Sequence, residues 1–168
     1  MRMAVEIERK FLVVGDGWQA ESAGSTPIRQ GYLARSASAI VRLRIAGDEA
    51  FVTIKGKTDG LTRPEFEYAI PVADAEDLLK LCEDGVIEKV RHDVPVDAAP
   101  WTVDVFSGDN AGLVFAEVEC PSEEAAEAVL LPSWLGREVS HDRRFDNASL
   151  SRRPFVQWSD EEKAEFGL

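Results

Sequence analysis

The sequence contains few of the residues that many catalytic sites require. It has only two cysteines, Cys82 and Cys120, and only two histidines, His92 and His141. The cysteines form no CxxC pair, so neither a zinc motif nor a disulfide framework is predicted. No GxxxxGK[ST], GxGxxG or GxSxG motif occurs either. These absences argue against a P-loop, a dinucleotide-binding fold and the nucleophile turn of an α/β-hydrolase.

Long apolar runs and an excess of basic residues are also missing. Nowhere do about 18 uncharged apolar residues follow one another, so no membrane-spanning helix is predicted. Charges at Glu6, Glu8, Arg9 and Lys10 argue against a secretory signal peptide, and we expect a cytoplasmic protein. The net charge of −12 argues against a general nucleic-acid or anionic-membrane partner. A small anionic substrate would therefore need an enclosed, locally basic pocket.

Alternation of apolar and polar residues recurs along the chain, which is typical of β-strands. The predicted strands are Val5–Val13, Ile28–Leu33, Ile40–Ala46, Ala50–Lys55, Arg63–Ile70, Val86–Val94, Trp101–Phe106 and Leu113–Cys120. Eight strands separated by polar turns favour an antiparallel barrel or a sandwich.

Helices are predicted in few places. They are expected at Asp74–Asp84 with Asp74 as its N-cap, at Ser122–Leu131 with Ser122 as its N-cap, and at Ser159–Phe166, with a helical turn near Asn147–Ser151. Ser159 and Glu162 have the spacing of a capping box. The 168 residues fit one domain spanning residues 1–168. The predicted class is α+β, dominated by one sheet.

The first predicted strand has an unusual polar face. Because side chains alternate along a strand, Glu6, Glu8 and Lys10 share one side of it. The two carboxylates would lie roughly 6.6 Å apart, one pleat repeat. This spacing suits a divalent cation or a metal pair, and the adjacent lysine suits an anion. The segment is therefore interpreted as half of a site for metal and phosphate.

Other strands repeat this pattern of like charges two residues apart. The pairs are Arg42/Arg44, Lys89/Arg91 and Glu117/Glu119. One interpretation is an ordinary sheet with one solvated face. The other is a barrel whose charged face points inward and whose large apolar residues face outward, against helices and loops. The scarcity of uncharged polar residues on these faces favours the second, which requires its buried charges to be paired or metal-bound.

The charged residues fall into two chemical sets. Carboxylates are the ligands that Mg²⁺ and Mn²⁺ prefer, and Mg²⁺ commonly shares them with substrate phosphate. The candidate metal ligands are Glu6, Glu8, Glu117 and Glu119, with Asp104 a possible fifth. The candidate phosphate ligands are Arg42, Arg44, Lys55, Lys89 and Arg91.

An ordered series of segments resembles a known family, the CYTH domains or triphosphate tunnel metalloenzymes. Glu6-x-Glu8-x-Lys10 is similar to the family's ExExK signature. The later segments are 30–33, 41–44, 53–56, 63–68, 89–91, 103–106, 116–119, 134–139 and 142–145. The likeness is strongest to short, single-domain bacterial members.

The resemblance implies an eight-stranded antiparallel β-barrel that forms a tunnel with a charged interior, flanked by a few helices. It implies Mg²⁺- or Mn²⁺-dependent hydrolysis of a triphosphate, foremost inorganic tripolyphosphate to pyrophosphate and phosphate. The implied metal ligands are Glu6, Glu8, Glu117 and Glu119, assisted by Asp104. The implied phosphate ligands are Lys10, Arg42, Arg44, Lys55, Arg63, Lys89 and Arg91, with Arg143 and Arg144 closing the tunnel.

Catalytic roles are implied for Lys10 and Tyr32. Tyr32 would act in acid/base chemistry or orient phosphate, and the alternative for Tyr32 is a structural role in packing the barrel. The resemblance also leaves other functions open, namely a class IV adenylate cyclase, a thiamine triphosphatase or a non-catalytic module that binds polyphosphate or nucleotide. The expected partner is a small triphosphate, and the oligomeric state stays open between monomer and homodimer.

Overall fold

One antiparallel sheet forms the frame of the computed structural model, which describes residues 7–56 and 64–168. Its strands are β1 (Ile7–Val13), β2 (Gly24–Arg35), β3 (Ala39–Ala46), β4 (Glu49–Gly56), β5 (Glu65–Ile70), β6 (Ile87–Val96), β7 (Ala99–Phe106), β8 (Val114–Cys120) and β9 (Leu135–Glu138). Their order in the sheet is β5-β4-β3-β2-β6-β7-β8-β1-β9. The antiparallel α+β class predicted from the sequence is confirmed.

The eight predicted strands are all present, with altered bounds where the ends fall on turns. Val5, Glu6 and Arg63, which the prediction placed in the first and fifth strands, lie outside the described residues. A ninth strand, β9, was not predicted because its four residues show no alternation. It pairs with β1, and a Cβ at Gly136 would lie 2.8 Å from Val14 Cγ2. A glycine therefore permits this close pairing.

The sheet is curled, as the predicted barrel requires, but among the described residues it is not closed by hydrogen bonds. Within the two described ranges, no ladder of hydrogen bonds joins β5 to β9, the two edge strands. Residues from β1 and from β5 nevertheless line the same cavity, so the sheet curves through most of a turn. The segment 140–148 contributes the remaining wall.

The four helices are short: α1 (Val72–Leu79), α2 (Glu123–Ala128), α3 (Asn147–Leu150) and α4 (Asp160–Phe166). The predicted caps of α2 and α4 are confirmed: Ser122 Oγ accepts from a backbone amide, and Ser159 forms a capping box with Glu162. The predicted cap of α1 was wrong. That helix begins after Pro71, so Asp74 lies in its first turn, where a carboxylate also complements the helix dipole.

The hydrophobic core lies on the outside of the curled sheet. Leu43 is buried against Leu79 of α1, on the face of β3 opposite to the charged residues. A second cluster around Trp101 and Trp134 covers β1, β7 and β8, and a third surrounds Phe145. The hypothesis of an inward charged face and an outward apolar face is therefore confirmed. No helix in the described ranges is long and apolar enough to span a bilayer.

Candidate active site

The charged faces of the strands enclose a cavity of about 650 Å³. Its lining is Glu8, Lys10, Ile28, Gln30, Tyr32, Ile40, Arg42, Arg44, Lys55, Glu65, Glu67, Lys89, Arg91, Glu117, Glu119, Ser140, Asp146, Asn147 and Ala148. Six of these residues are basic and six acidic, whereas the whole chain has 19 basic and 31 acidic residues. The cavity is thus electroneutral in formal charge inside a strongly acidic protein, as an enclosed anion site requires.

One wall of the cavity, formed by β1 and β8, concentrates carboxylates. The strand register places Glu8 directly opposite Glu119, and Lys10 directly opposite Glu117. Like charges directly opposite one another destabilise a sheet unless a cation lies between them. Glu6, a further predicted metal ligand, lies outside the described residues. The pairing of Glu8 with Glu119 therefore favours binding of a cation here.

Lys10 is buried where this carboxylate wall meets the rest of the cavity. Its Nζ lies 3.1 Å from Glu117 Oε1 and 3.9 Å from Glu8 Oε1, and it donates to the Phe145 carbonyl at 3.2 Å. Burial opposes the charge on Lys10, but the carboxylates of Glu117 and Glu8 outweigh it and raise the pKa. Lys10 therefore remains a cation at neutral pH and is unsuited to act as a general base.

A hydrogen-bonded network connects the carboxylate wall to β6. Arg91 donates to both oxygens of Asp104 at 2.7 Å and to Glu117 Oε2 at 2.9 Å. Lys89 donates to Asp104 Oδ2 at 2.5 Å. Burial would raise the pKa of Asp104, but Lys89 and Arg91 lower it to about 2. Lys89, Arg91 and Glu117 all line the cavity, and Asp104 lies behind them.

The position of Asp104 differs from the metal ligand expected from the sequence. Its carboxylate is 1% exposed and is shared between two cations of β6. It lies outside the cavity lining, so it contacts Lys89 and Arg91, two of the predicted phosphate ligands, and does not face the space that a metal would fill. The structure thus gives Asp104 the geometry of a support for Lys89 and Arg91.

The opposite wall, formed by β3, β4 and β5, is cationic. Arg44 donates to Glu67 at 3.2 Å, Arg42 donates to Thr53 Oγ1 at 3.1 Å, and Lys55 pairs with Glu65 at 2.9 Å. Glu67 and Glu65 thus orient basic side chains of this wall. Burial and the neighbouring Arg42 lower the pKa of Arg44.

Two donors on this cationic wall have no partner. The Nε atoms of Arg42 and Arg44 are buried and make no hydrogen bond to any described residue. A buried donor without an acceptor costs about 1–3 kcal/mol. Arg42 and Arg44 themselves line the cavity beside Lys55, so the wall has the chemistry of an anion site.

Tyr32 and Gln30 occupy the floor between the two walls, on β2. The Gln30 amide donates to the Tyr32 hydroxyl at 3.4 Å. Burial raises the pKa of the Tyr32 phenol above its usual value, against the opposing charges of Arg42 and Arg35. The phenol is therefore protonated at neutral pH, and it can donate a hydrogen bond to an anion.

Three predicted phosphate ligands do not line this cavity. Arg63 lies outside the described residues. Arg144 is held by Asp142 at 2.7 Å and by Glu165 at 2.8 Å, and its guanidinium stacks on Phe166. Arg143 lies in an adjoining surface hollow. The expected closure of the tunnel by Arg143 and Arg144 is therefore not seen, since the turn that carries them packs its aromatic neighbour inward instead.

Four polar residues of the lining were missed in the sequence: Gln30, Ser140, Asp146 and Asn147. Gln30 lies two residues before Tyr32, so its strand phase would have been a usable signal. The other three follow the last strand in a segment without alternation, and nothing local places them in the cavity. Asn147 Oδ1 is buried without a donor in the described part of the chain.

The carboxylates of the cavity fit a metal ion only if a bound substrate supplies further oxygen ligands. Among residues 7–56 and 64–168, no three His, Cys, Asp or Glu side chains converge closely enough to hold a metal alone. Mg²⁺ is typically held by one or two carboxylates together with substrate phosphates. Glu8 and Glu119 meet this requirement, because they oppose each other across a strand pair and face the cationic wall.

Comparison with known proteins agrees with this architecture. The CYTH domain family matches residues 4–150. An inorganic triphosphatase from Acetivibrio thermocellus is 41% identical over 159 residues, which cover 94% of this chain and 100% of the relative. One from Nitrosomonas europaea is 41% identical over 150 residues, covering 87% and 96%. A crystal structure of an inorganic triphosphatase matches with a TM-score of 0.67 at 38% identity, over 90% of this chain and 97% of that chain.

These likenesses extend over nearly the whole sequence, and they include both the strands and the segment that completes the cavity. They confirm the tunnel fold expected from the ordered motifs, although the sheet itself is not closed. The chain therefore belongs to the CYTH domain family.

Proposed function

We propose that the protein is a metal-dependent inorganic triphosphatase, which hydrolyses tripolyphosphate to pyrophosphate and phosphate. The observation that carries the proposal is the separation of charge across the cavity. Carboxylates of β1 and β8 face guanidinium and ammonium groups of β3, β4 and β6. Relatives of the same family, 41% identical to this chain, are inorganic triphosphatases.

The cationic side chains would hold the phosphate chain. Arg42 and Arg44 line the cavity from β3 and offer guanidinium groups to phosphate oxygens. Lys89 and Arg91 reach the same space from β6, oriented by Asp104. Phosphoryl transfer needs mainly positioning and neutralisation of charge. A rigid set of paired cations supplies both, because the side chains are already ordered before the substrate binds.

Glu8 and Glu119, with Glu117 beside them, would hold Mg²⁺ or Mn²⁺, and Glu6 is proposed as a further ligand. The metal, when bound, neutralises phosphate charge and lowers the pKa of water. Lys10 remains charged beside Glu117 and would stabilise negative charge that develops on the phosphate chain.

Tyr32 would donate its hydroxyl proton in a hydrogen bond to a phosphate oxygen. Its raised pKa excludes a role as a base near neutral pH, so phosphate orientation is the role that we propose for it. Lys10 is unsuited to proton abstraction for the same reason. The proposed chemistry therefore depends on orientation and electrostatics, without a side-chain general base from either residue.

The composition of the lining favours an inorganic substrate over a nucleotide. Among the described residues, nineteen line the cavity; twelve of them are charged, and the aliphatic ones are Ile28, Ile40 and Ala148. In the same part of the chain Tyr32 supplies the one aromatic ring of the lining, and the guanidinium of Arg35 lies 4.4 Å from its centre. A nucleobase would find little surface for stacking. This argues against the cyclase and nucleotide-binding alternatives.

The test is release of phosphate from tripolyphosphate with Mg²⁺, with Mn²⁺ and with a chelator. We expect turnover only with metal, and its loss in Glu8→Ala. Glu83→Ala, which removes an exposed carboxylate outside the cavity, is the matched control and should leave the rate unchanged. Parallel assays with pyrophosphate, ATP and thiamine triphosphate decide among substrates. Absence of turnover by the wild type, or full activity of Glu8→Ala, would refute the proposal.

A further inference from the structure

An irregularity in β2 changes the direction of a side chain near the cavity. Tyr32 pairs with Arg42 and Ala34 with Val41, so Leu33 is an extra residue on this strand. In a regular strand, residues three apart point to opposite faces. The bulge therefore brings Arg35 onto the same side as Tyr32, and bulges commonly redirect side chains in this way beside active sites.

The guanidinium of Arg35 makes four contacts from this position. It lies 4.4 Å from the centre of the Tyr32 ring. Its Nη1 donates to the Ala148 carbonyl at 2.8 Å, and its Nη2 donates to Ser151 Oγ at 2.7 Å. Nη2 also lies 3.0 Å from Asp84 Oδ2. Arg35 itself does not line the cavity, so it acts only through the groups that it holds.

Those groups belong to two different walls of the site. Tyr32 belongs to the floor formed by β2, whereas Ala148 lies in α3, in the segment 140–148 that contributes another wall of the cavity. Ser151 Oγ in turn donates to the Ala148 carbonyl at 3.0 Å. The fork geometry of a guanidinium allows both donor bonds while its plane stacks on the ring. Arg35 thus ties the segment that closes the cavity to the strand that carries Tyr32.

We propose that Arg35 is a positioning residue for hydrolysis of tripolyphosphate: it fixes the Tyr32 hydroxyl relative to the wall formed by 146–148. The inference rests on the proposed function. A phenol that orients phosphate must be held to a fraction of an ångström, because small misplacements of catalytic groups cost large factors in rate. The cation on one face of the ring and the tether to α3 restrict its movement.

Arg29 offers a matched control for a purely structural effect. It lies on the same strand and forms an ion pair with Glu76 at 2.7 Å, but outside the cavity. Arg29→Gln should leave kcat and KM unchanged. Arg35→Gln should lower kcat about 10-fold, with a smaller change in KM. Arg35→Lys retains a cation near Tyr32 but lacks the fork, so its loss in kcat should be smaller.

A double-mutant cycle tests whether Arg35 acts through Tyr32. If it does, Arg35→Gln should reduce kcat far less in a Tyr32→Phe background than in the wild type, since the hydroxyl to be positioned is already absent. If the fold-losses in kcat of the two single substitutions simply multiply in the double variant, the proposal is overturned. If Arg35→Gln folds poorly, the same cycle with Arg35→Lys decides the question.

Hydrogen exchange gives a readout that does not depend on turnover. Amides of residues 147–151 should exchange faster in Arg35→Gln than in the wild type and in Arg29→Gln. Equal exchange rates of these amides in all three proteins would refute the claim that Arg35 holds this segment in place. A wild type without turnover would instead refute the proposed function, and the catalytic role of Arg35 with it. Additive kinetics in an active wild type would refute the role of Arg35 alone.

Discussion

Substitution of Asp104 has an effect on the free energy of unfolding that can be worked out from the structure. Asp104 is 1% exposed and is held by Lys89 at 2.5 Å and by Arg91 at 2.7 Å. These cations lower its pKa from 3.8 to about 2. At about 1.4 kcal/mol for each pKa unit, the interactions of the ionised carboxylate stabilise the folded state by about 2.5 kcal/mol.

The sign of the pH dependence follows from the direction of this shift. Because the pKa of Asp104 is lower in the folded than in the unfolded protein, its contribution is present in full above the unfolded value. It declines as the pH falls from about 4.5 toward 2. Asp104→Asn removes the charge and leaves buried Lys89 without its counter-ion. Such a change typically lowers the free energy of unfolding by about 3–5 kcal/mol.

Urea unfolding of the wild type and of Asp104→Asn at a series of pH values measures this effect. We expect Asp104→Asn to be less stable by about 3 kcal/mol at pH near 7, with the difference narrowing below pH about 4.5. Asp77→Asn is the control, because Asp77 pairs with Lys80 at 2.7 Å on the open surface; it should unfold like the wild type. A loss below about 1 kcal/mol, or a difference that stays constant with pH, would refute the reasoning.

Three further predictions concern the site and its packing. Glu119→Ala should raise the metal concentration needed for half-maximal turnover, whereas Arg42→Ala should raise KM for tripolyphosphate; identical defects in both variants would contradict the division of roles. Tyr32→Phe should lower kcat/KM about 10- to 100-fold. Because the pKa of Tyr32 is raised, the pH profile of kcat/KM for Tyr32→Phe should have the same shape as that of the wild type from pH about 6 to 9. A limb of the profile that shifts in Tyr32→Phe would contradict a phenol that stays protonated. Gly31→Ala would place a Cβ 2.8 Å from Cys82 Sγ and should destabilise the fold by about 1–3 kcal/mol. Cys82→Ala should rescue it in thermal unfolding, and no rescue would show that the clash lies elsewhere.

Much of the candidate site could be predicted because alternation determines the face of each strand residue. Glu8 and Lys10 share a face in any regular strand, as do Arg42 and Arg44, whatever the fold around them. All four line the cavity. The apolar residues between them, such as Leu43, then had to pack on the outer side.

Long-range pairing decided what alternation could not. Asp104 shares the phase of a site residue, but its partner in register is Arg91, and that pairing removes its carboxylate from the cavity. Strand register depends on contacts between distant segments, so no local pattern reports it. Arg144 is likewise held away from the site by a contact that is distant in sequence, its ion pair with Glu165 at 2.8 Å.

The sequence by itself determined which charged residues share a face of each strand, and the order of its motifs indicated a site for metal and triphosphate through their resemblance to the CYTH domains. Only the tertiary structure decided how the walls meet. The bulge at Leu33 redirects Arg35, β9 pairs with β1 beside Gly136, and the segment 140–148 contributes a further wall of the cavity. Each of these depends on the approach of residues far apart in the chain, and that approach is governed by packing and not by local periodicity.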